Sequence, residues 1–374
     1  MRNRSKLSFK ALVALMAAWL IWNSGVAMAQ GTEKEEKPQP AGPTQNVEQS
    51  IEALFGPEGE KEENSQPEAP RSQEPVLYIT DTDNGRIVIM QGIEGEGYTT
   101  MGLPGYGFGR FLRPAQIWVD WAGRVYVADS GNDRVVRLDQ KSARGWEEYG
   151  KGLSSPMGVA ASREGIYVAD TKNNRIIVLK DLKEDAEVIE TLTHTQLTRP
   201  TSLWVDSEDA LYICCGEDPP GGKVFKTWKE KDRRRWRIYE GDGLTGSRFR
   251  PSGLVTTGSK LKLLDGSGQR IINMQNMAGK RSKEQTFRGD RRFRLSRPQG
   301  VAVDQSGKRF YVADSGNDRI LEVRANGEVV GEFRGKPGDP TSLLRNPASV
   351  FVFSPAPPPE PEEKDDDKKD KKDK

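Results

Sequence analysis

One segment recurs along the chain and constrains the fold more than any other feature. YVADSGNDRVVRL spans residues 126–138 and returns almost unchanged as YVADSGNDRILEV over residues 311–323. Weaker copies begin at Tyr78 and Tyr167, and degraded copies begin at Tyr212 and Lys262. Repeats spaced by roughly 40–50 residues are typical of propeller blades or solenoid units. The sequence therefore predicts an array of similar structural units.

Each copy has the composition of a β-hairpin. Tyr126, Val127 and Ala128 suit a buried strand, and the apolar residues at 135, 136 and 138 supply a second one. The intervening DSGNDR is rich in residues that form turns, because Asp and Asn side chains bond nearby backbone groups and Gly tolerates a positive φ. A repeated hairpin is thus the basic unit.

A second landmark precedes most hairpins. It is a proline followed by a short apolar strand, and the segments are RPAQIWVD from Arg113, SPMGVAA from Ser155, RPTSLWVD from Arg199, RPSGLVT from Arg250 and RPQGVAVD from Arg297. Each unit is therefore a strand, a tight turn, the hairpin and a variable fourth strand. The first hairpin lacks a proline strand before it, and the last proline strand, NPASVFVF from Asn346, lacks a hairpin after it.

These two incomplete ends complement each other. Joined, they make one blade, so the sequence predicts an all-β ring of six blades over residues 76–353, closed by the C-terminal strand. Ring closure removes exposed sheet edges, which would otherwise pair with other chains. The pattern P-x-G-V-x-V-D followed by G-x-x-Y-V-A-D-S-x-N-x-R resembles the NHL repeat, and that resemblance implies the blades of a β-propeller. The N-terminal segment described next indicates a secreted bacterial type.

The ends of the chain differ from its centre. Basic residues, an apolar run from Ala11 to Trp22 and Ala27-Met28-Ala29 predict a signal peptide over residues 1–29, with an uncleaved anchor as the alternative. Residues 30–75 hold four basic and eleven acidic side chains and form a disordered acidic linker rich in Pro and Glu; residues 354–374 form a disordered charged tail. The expected location is extracytoplasmic: secreted, periplasmic or attached to the cell envelope. The mature protein is expected to be a monomeric domain without a membrane span.

Four copies retain an Asp, an Asn and an Arg in their turn. One such set in each blade is typical of scaffolding, so we assign these residues to a structural turn motif: Asp81, Asn84 and Arg86; Asp129, Asn132 and Arg134; Asp170, Asn173 and Arg175; and Asp314, Asn317 and Arg319.

The degraded fourth and fifth copies carry basic segments. Residues 223–250 contain ten basic and four acidic side chains, and residues 280–297 contain eight and two. Arg suits bidentate recognition of phosphate or carboxylate. If both segments emerge on one side of the ring, they form a basic binding face; the alternative is that they are solvated outer strands. The candidate binding residues are Arg233, Arg234, Arg235, Trp236, Arg237, Arg288, Arg291, Arg292 and Arg294.

Residues typical of catalysis are scarce. His194 is the single histidine, which excludes a multi-histidine zinc site, and Cys214 and Cys215 are expected to be buried structural residues, with a vicinal disulfide as the alternative. We therefore expect no cofactor and no metal. The sequence favours a non-catalytic propeller that binds or scaffolds a protein or an anionic polymer such as a wall polymer, a polysaccharide or a lipid headgroup. Export disfavours a nucleic acid partner. The alternative function is a metal-dependent hydrolase or lyase with carboxylates in the central channel.

Overall fold

A computed structural model describes residues 74–139, 142–216, 222–241, 249–258, 260–267, 269–277, 283–285 and 294–353. Within them the chain forms six four-stranded antiparallel sheets. Strands are numbered β1 to β26 along the chain, and each sheet is one blade. The signal peptide, almost all of the acidic linker and the charged tail that the sequence predicts lie outside these residues. No helix in the described part of the chain is long and apolar enough to cross a membrane.

The strand bounds of the first three blades are as follows. Blade one contains β26 Pro347–Phe353, β1 Val76–Asp81, β2 Arg86–Gln91 and β3 Glu96–Met101, and a short parallel ribbon of β4 Leu103–Pro104 and β5 Arg110–Phe111 follows it. Blade two contains β6 Pro114–Val119, β7 Arg124–Asp129, β8 Arg134–Asp139 and β9 Ser142–Tyr149. Blade three contains β10 Gly158–Ala161, β11 Ile166–Asp170, β12 Arg175–Leu179 and β13 Val188–Leu192.

The other three blades follow the same order. Blade four contains β14 Pro200–Val205, β15 Leu211–Cys215, β16 Lys223–Glu230 and β17 Arg233–Tyr239. Blade five contains β18 Pro251–Thr257, β19 Lys260–Asp265, β20 Arg270–Met274 and β21 Lys283–Gln285. Blade six contains β22 Gly300–Val303, β23 Arg309–Asp314, β24 Arg319–Arg324 and β25 Val329–Phe333. Single 3-10 turns span Ser130–Asn132, Thr171–Asn173, Ser315–Asn317 and Pro340–Ser342.

Ring closure occurs in blade one, where both ends of the propeller meet. β26 pairs with β1 from Val76 opposite Phe353 to Asp81 opposite Pro347. A buried apolar cluster that includes Leu77 and Tyr311 then packs blade one against blade six. The predicted six-bladed ring and its C-terminal closing strand are confirmed.

The order of strands gives the ring two distinct faces. In each blade the innermost strand begins at or just after its proline, and the second strand runs back toward that proline. The turn after the second strand therefore lies beside the prolines; these turns follow Asp81, Asp129, Asp170, Asp265 and Asp314. We call this the upper face; it also carries the connections between blades. Glu74 and Phe353, the first and last described residues, lie at the opposite, lower face.

Candidate functional site

The turn motif on the upper face is a compact hydrogen-bonded unit. In blade two, Asp129 Oδ2 accepts hydrogen bonds from Asn132 Nδ2 at 2.6 Å and Arg134 Nε at 2.9 Å, while its Oδ1 accepts one from the Leu112 backbone N–H at 2.7 Å. The carboxylates at 81, 170 and 314 make the same three contacts with their own neighbours. Each motif thus fixes its turn to the connection from the preceding blade.

The arginine run that the sequence singles out forms β17, the outermost strand of blade four. Its side chains alternate in exposure: Arg233, Arg235 and Arg237 are exposed, whereas Arg234 and Trp236 are partly covered. Arg234 is only 10% exposed and its Nη2 lies 2.5 Å from Glu190 Oε2 of blade three. Trp236 packs on the His194 ring with centroids 5.5 Å apart.

The alternation divides this run by role. Arg234 and Trp236 connect blade four to blade three, so they are engaged within the protein. Arg235 Nε lies 2.6 Å from Glu230 Oε2, but both side chains are more than half exposed, and exposed pairs of this kind contribute little. The exposed arginines of β17 therefore form a short basic stripe on the outer rim.

The second group of predicted binding residues lies elsewhere. Arg294 is exposed on the upper face, where its backbone carbonyl accepts hydrogen bonds from Asn317 and Arg319 of blade six. Arg233 begins β17 directly after the hairpin at residues 231–232, which places it at the lower end of the strand. Arg233 and Arg294 therefore lie at opposite faces of the ring. Arg288, Arg291 and Arg292 lie outside the described residues.

A different set of arginines surrounds the upper mouth of the central channel. The innermost strands enclose a cavity of about 390 Å³, and Arg113, Arg250 and Arg297 line it. We call these three residues the arginine collar. Each is exposed and immediately precedes the proline that begins an innermost strand. Within the described part of the chain, no hydrogen bond or ion pair engages their guanidinium groups. Arg199 occupies the equivalent position in blade four and is also exposed.

The backbone at these positions has an unusual conformation. Arg113, Arg199 and Arg297 have φ values of 52°, 43° and 46°, and Ser155 and Asn346, their equivalents in blades three and one, have 49° and 51°. This left-handed region is adopted most easily by Gly and Asn. Five of the six blade connections thus share this conformation, and it does not require arginine, since arginine is strained there.

Below the collar the cavity becomes polar and then aromatic. Ser202, Ser252 and Gln299 line its middle. At its floor, the Trp118 ring lies 5.2 Å, centroid to centroid, from both Trp204 and Phe351. The three rings come from blades two, four and one. Trp204 and Phe351 also line a second cavity of about 680 Å³ on the lower side, so the rings separate the two cavities.

Carboxylates that could hold a catalytic metal do not converge among the described residues of this cavity. The described residues that line it include no aspartate or glutamate. In the same part of the chain, no group of three or more His, Cys, Asp or Glu side chains could hold a metal ion. His194 meets Phe225 edge to face with centroids 5.6 Å apart, and its Nδ1 accepts a hydrogen bond from the Gln196 backbone N–H.

Cys214 and Cys215 are buried on β15, as the sequence predicts, and do not form a vicinal disulfide. Burial raises the pKa of the Cys214 thiol well above its usual range. Because the thiolate is the reactive form, this burial disfavours reaction at Cys214.

Comparison with known proteins agrees with the fold. A family model described as NHL repeat matches residues 295–322, which run from the end of the connection before blade six into β24. The chain is a six-bladed β-propeller that carries an NHL repeat in blade six. No curated protein matches it in a sequence search.

Two solved structures with similar folds are a streptogramin B lyase and a nidogen/laminin complex. The lyase has a TM-score of 0.52 and 14% identity over 74% of this chain and 83% of its own. The chain from the complex has a TM-score of 0.54 and 19% identity over 74% of this chain and 98% of its own. Such identities show a shared fold and leave function open.

The arginine collar was not identified from the sequence, although the signal was present. Arg precedes the strand-initiating Pro in four of the six blades. These four arginines are separated by tens of residues along the chain, so the sequence presents them only as part of the repeated blade pattern. Only ring closure brings three of them around one opening.

Proposed function

We propose that this NHL propeller is a non-catalytic, extracytoplasmic binding protein whose partner is a protein or an anionic envelope polymer, held through the upper face. The arginine collar carries this proposal. Three guanidinium groups line one opening, and the described residues of the cavity supply no carboxylate to neutralise them. Arginine forms bidentate hydrogen bonds with carboxylate and phosphate groups, so the collar is suited to anionic groups.

The surroundings of the collar favour the same partner. Residues 76–353 contain 43 basic and 36 acidic side chains, a balance of +7. Three exposed acids on the upper face are already used as hydrogen-bond acceptors: Asp133 and Asp318 bond the backbone N–H groups of Ser155 and Asn346, and Asp83 bonds the Asn346 amide. A net positive domain attracts polyanions over a distance of about 10 Å at moderate salt.

The positions of the chain ends are compatible with attachment. Glu74 and Phe353 lie at the lower face, so the linker and the tail both leave the propeller on the side opposite the collar. Attachment to an envelope through either end would leave the upper face accessible. Export itself is inferred from the sequence of residues 1–29, and it argues against a nucleic acid partner.

The rim stripe of blade four is part of the basic face on blades four and five that the sequence favours for binding, and it gives a matched comparison. We would measure binding of the propeller to polyglutamate and to dextran sulfate over a salt series. Three proteins are compared: wild type, the collar variant Arg113→Gln/Arg250→Gln/Arg297→Gln, and the rim variant Arg233→Gln/Arg235→Gln/Arg237→Gln. Both variants lose three positive charges, so a difference between them reports position and not net charge.

The collar variant should bind at least tenfold more weakly than wild type at low salt and show a smaller salt dependence. The rim variant should change much less. A larger loss of affinity in the rim variant would show that the binding face lies on blade four. Equal affinity in all three proteins, or no binding by wild type, would contradict the proposal.

A further inference from the structure

The cavity behind the collar is a small-ligand site as well as part of a charged surface. We propose that it holds one anionic aromatic group, with a carboxylate or phosphate at the arginine collar and a flat ring against Trp118, Trp204 and Phe351. This inference rests on the proposed function, because it specifies the chemistry that the same upper face recognises. It adds a defined position, a stoichiometry of one and an aromatic requirement.

The size and shape of the cavity fit such a ligand. Its volume of about 390 Å³ falls within the range of roughly 300–1,000 Å³ that is typical of small-molecule sites. Charge is concentrated at one end and aromatic surface at the other, with hydroxyl and amide groups between them. A ligand with an anionic end and an apolar end therefore satisfies the whole lining, whereas a bare inorganic anion would contact only the collar.

The channel is also asymmetric, which limits how a ligand can enter. The Gln116 side chain extends past blade three: its Nε2 donates to the Leu203 carbonyl at 2.6 Å, and its Oε1 accepts from the backbone N–H groups of Leu203 at 2.9 Å and Val159 at 3.2 Å. A Cβ on Gly158 would lie 3.1 Å from Gln116 Oε1 and 3.0 Å from Leu203 Cγ. Glycine at position 158 therefore leaves space for the Gln116 side chain, which closes the blade-three side of the channel.

Consequently, the open part of the channel faces the collar. Arg113, Arg250 and Arg297 belong to blades two, five and six, whereas blade three contributes only Met157 to the lining. The arginines are therefore placed at the side from which a ligand can reach the floor.

The floor of the cavity presents an aromatic surface, and the polar atom of Trp204 is already hydrogen-bonded. Its Nε1 donates to Thr256 Oγ1 at 3.0 Å, which leaves the face of the indole as its remaining contact surface. Trp118 meets Trp204 edge to face at an interplanar angle of 69°. Aromatic rings pack favourably in offset or edge-to-face geometry, so a ligand ring can extend this cluster.

The test uses phenyl phosphate and inorganic phosphate as probes, with affinity and stoichiometry measured by calorimetry. Wild type should bind one phenyl phosphate, about tenfold more tightly than inorganic phosphate. Arg250→Gln/Arg297→Gln should weaken both probes at least tenfold. Phe351→Leu should weaken phenyl phosphate threefold or more and leave inorganic phosphate unchanged. Arg237→Gln on the outer strand is the control and should change neither affinity.

Equal affinity for the two probes would overturn the aromatic part of the inference, and an Arg250→Gln/Arg297→Gln protein that binds like wild type would overturn it entirely. Urea unfolding midpoints identify any variant that is poorly folded. If Phe351→Leu is one, Trp118→Phe, which keeps a ring at the floor, should retain more of the preference for phenyl phosphate than Trp118→Leu.

Polyglutamate binding separates this inference from the proposed function. A protein that binds polyglutamate through the collar but shows no affinity for phenyl phosphate retains the proposed function and loses the inference. Displacement of polyglutamate by phenyl phosphate would show that the anionic groups of the polymer and of the small probe occupy the same collar. Simultaneous binding of both would place phenyl phosphate away from the collar and overturn the inference.

Discussion

Replacement of Asp314 by Asn tests whether the turn motif is a major source of stability. Asp314 is fully buried and accepts three hydrogen bonds, from Ser296 N–H at 2.6 Å, Asn317 Nδ2 at 2.8 Å and Arg319 Nε at 2.7 Å. An Asn in its place has the same shape but no charge. Its NH₂ group must point at one of these donors, so one donor remains unpaired.

The magnitude follows from the burial of the arginine. Arg319 is 2% exposed, and loss of one partner from a buried ion pair typically costs about 3–5 kcal/mol. Glu332 Oε2, 2.8 Å from Arg319 Nη1, retains part of the compensation, so the lower half of this range is expected. The equivalent pair in blade three provides the control: Asp170 makes the same three contacts, but Arg175 is 32% exposed.

Asp170→Asn should therefore cost about 1–2 kcal/mol less than Asp314→Asn, because water can solvate Arg175 once its partner is neutral. Urea unfolding of both variants and wild type gives the free energies of unfolding, and unchanged m-values would show that the comparison is valid. For a domain of this size the Asp314→Asn variant should melt roughly 10 °C below wild type. A loss below about 1 kcal/mol, or a larger loss in Asp170→Asn, would refute this reasoning.

Two further predictions concern ring closure and pH. A chain that ends at Arg345 lacks β26, which pairs with β1 over its whole length. The melting temperature of this shortened chain should fall by more than 10 °C, whereas a chain that ends at Phe353 should melt like the full chain. Similar melting of both shortened chains would contradict closure by this strand. Burial raises the pKa of Glu322 against the opposing effect of Arg309, while Glu74, Asp304 and Glu94 raise it further. The native state therefore holds this proton at a higher pH than the unfolded chain, and stability is lost as pH rises through the native pKa. The Gln side chain in Glu322→Gln cannot ionise, so the melting temperature of this variant relative to wild type should increase between pH 4 and pH 7. The exposed control Glu328→Gln should show no such trend. Parallel pH profiles for Glu322→Gln and wild type would exclude a stability effect of Glu322 ionisation.

Much of the fold could be predicted because its information is local and repeated. A turn such as Asp129 to Arg134 needs only a few adjacent residues, and its flanking strands alternate with the period of a sheet. The number of blades followed from complementary chain ends, since β1 and β26 each lack the part that the other supplies. Even the degraded copies at Tyr212 and Lys262 form ordinary blades, because packing against neighbouring blades compensates for a poor turn sequence.

The candidate site was less accessible to sequence reasoning for a physical reason. The run from Arg233 to Arg237 is conspicuous along the chain, but a strand directs successive side chains to opposite faces, so Arg234 pairs with Glu190 while Arg235 faces solvent. The number of charges in a segment therefore does not give the charge of a surface.

The sequence by itself determined the repeat, the blade, the closing strand and the net positive charge of the propeller, because each depends on neighbouring residues or on a sum. Only the tertiary structure determined that Arg113, Arg250 and Arg297 share one opening and that Trp118, Trp204 and Phe351 close the channel beneath them. Residues at equivalent places in different blades are far apart along the chain, and the curvature of the closed ring brings them together.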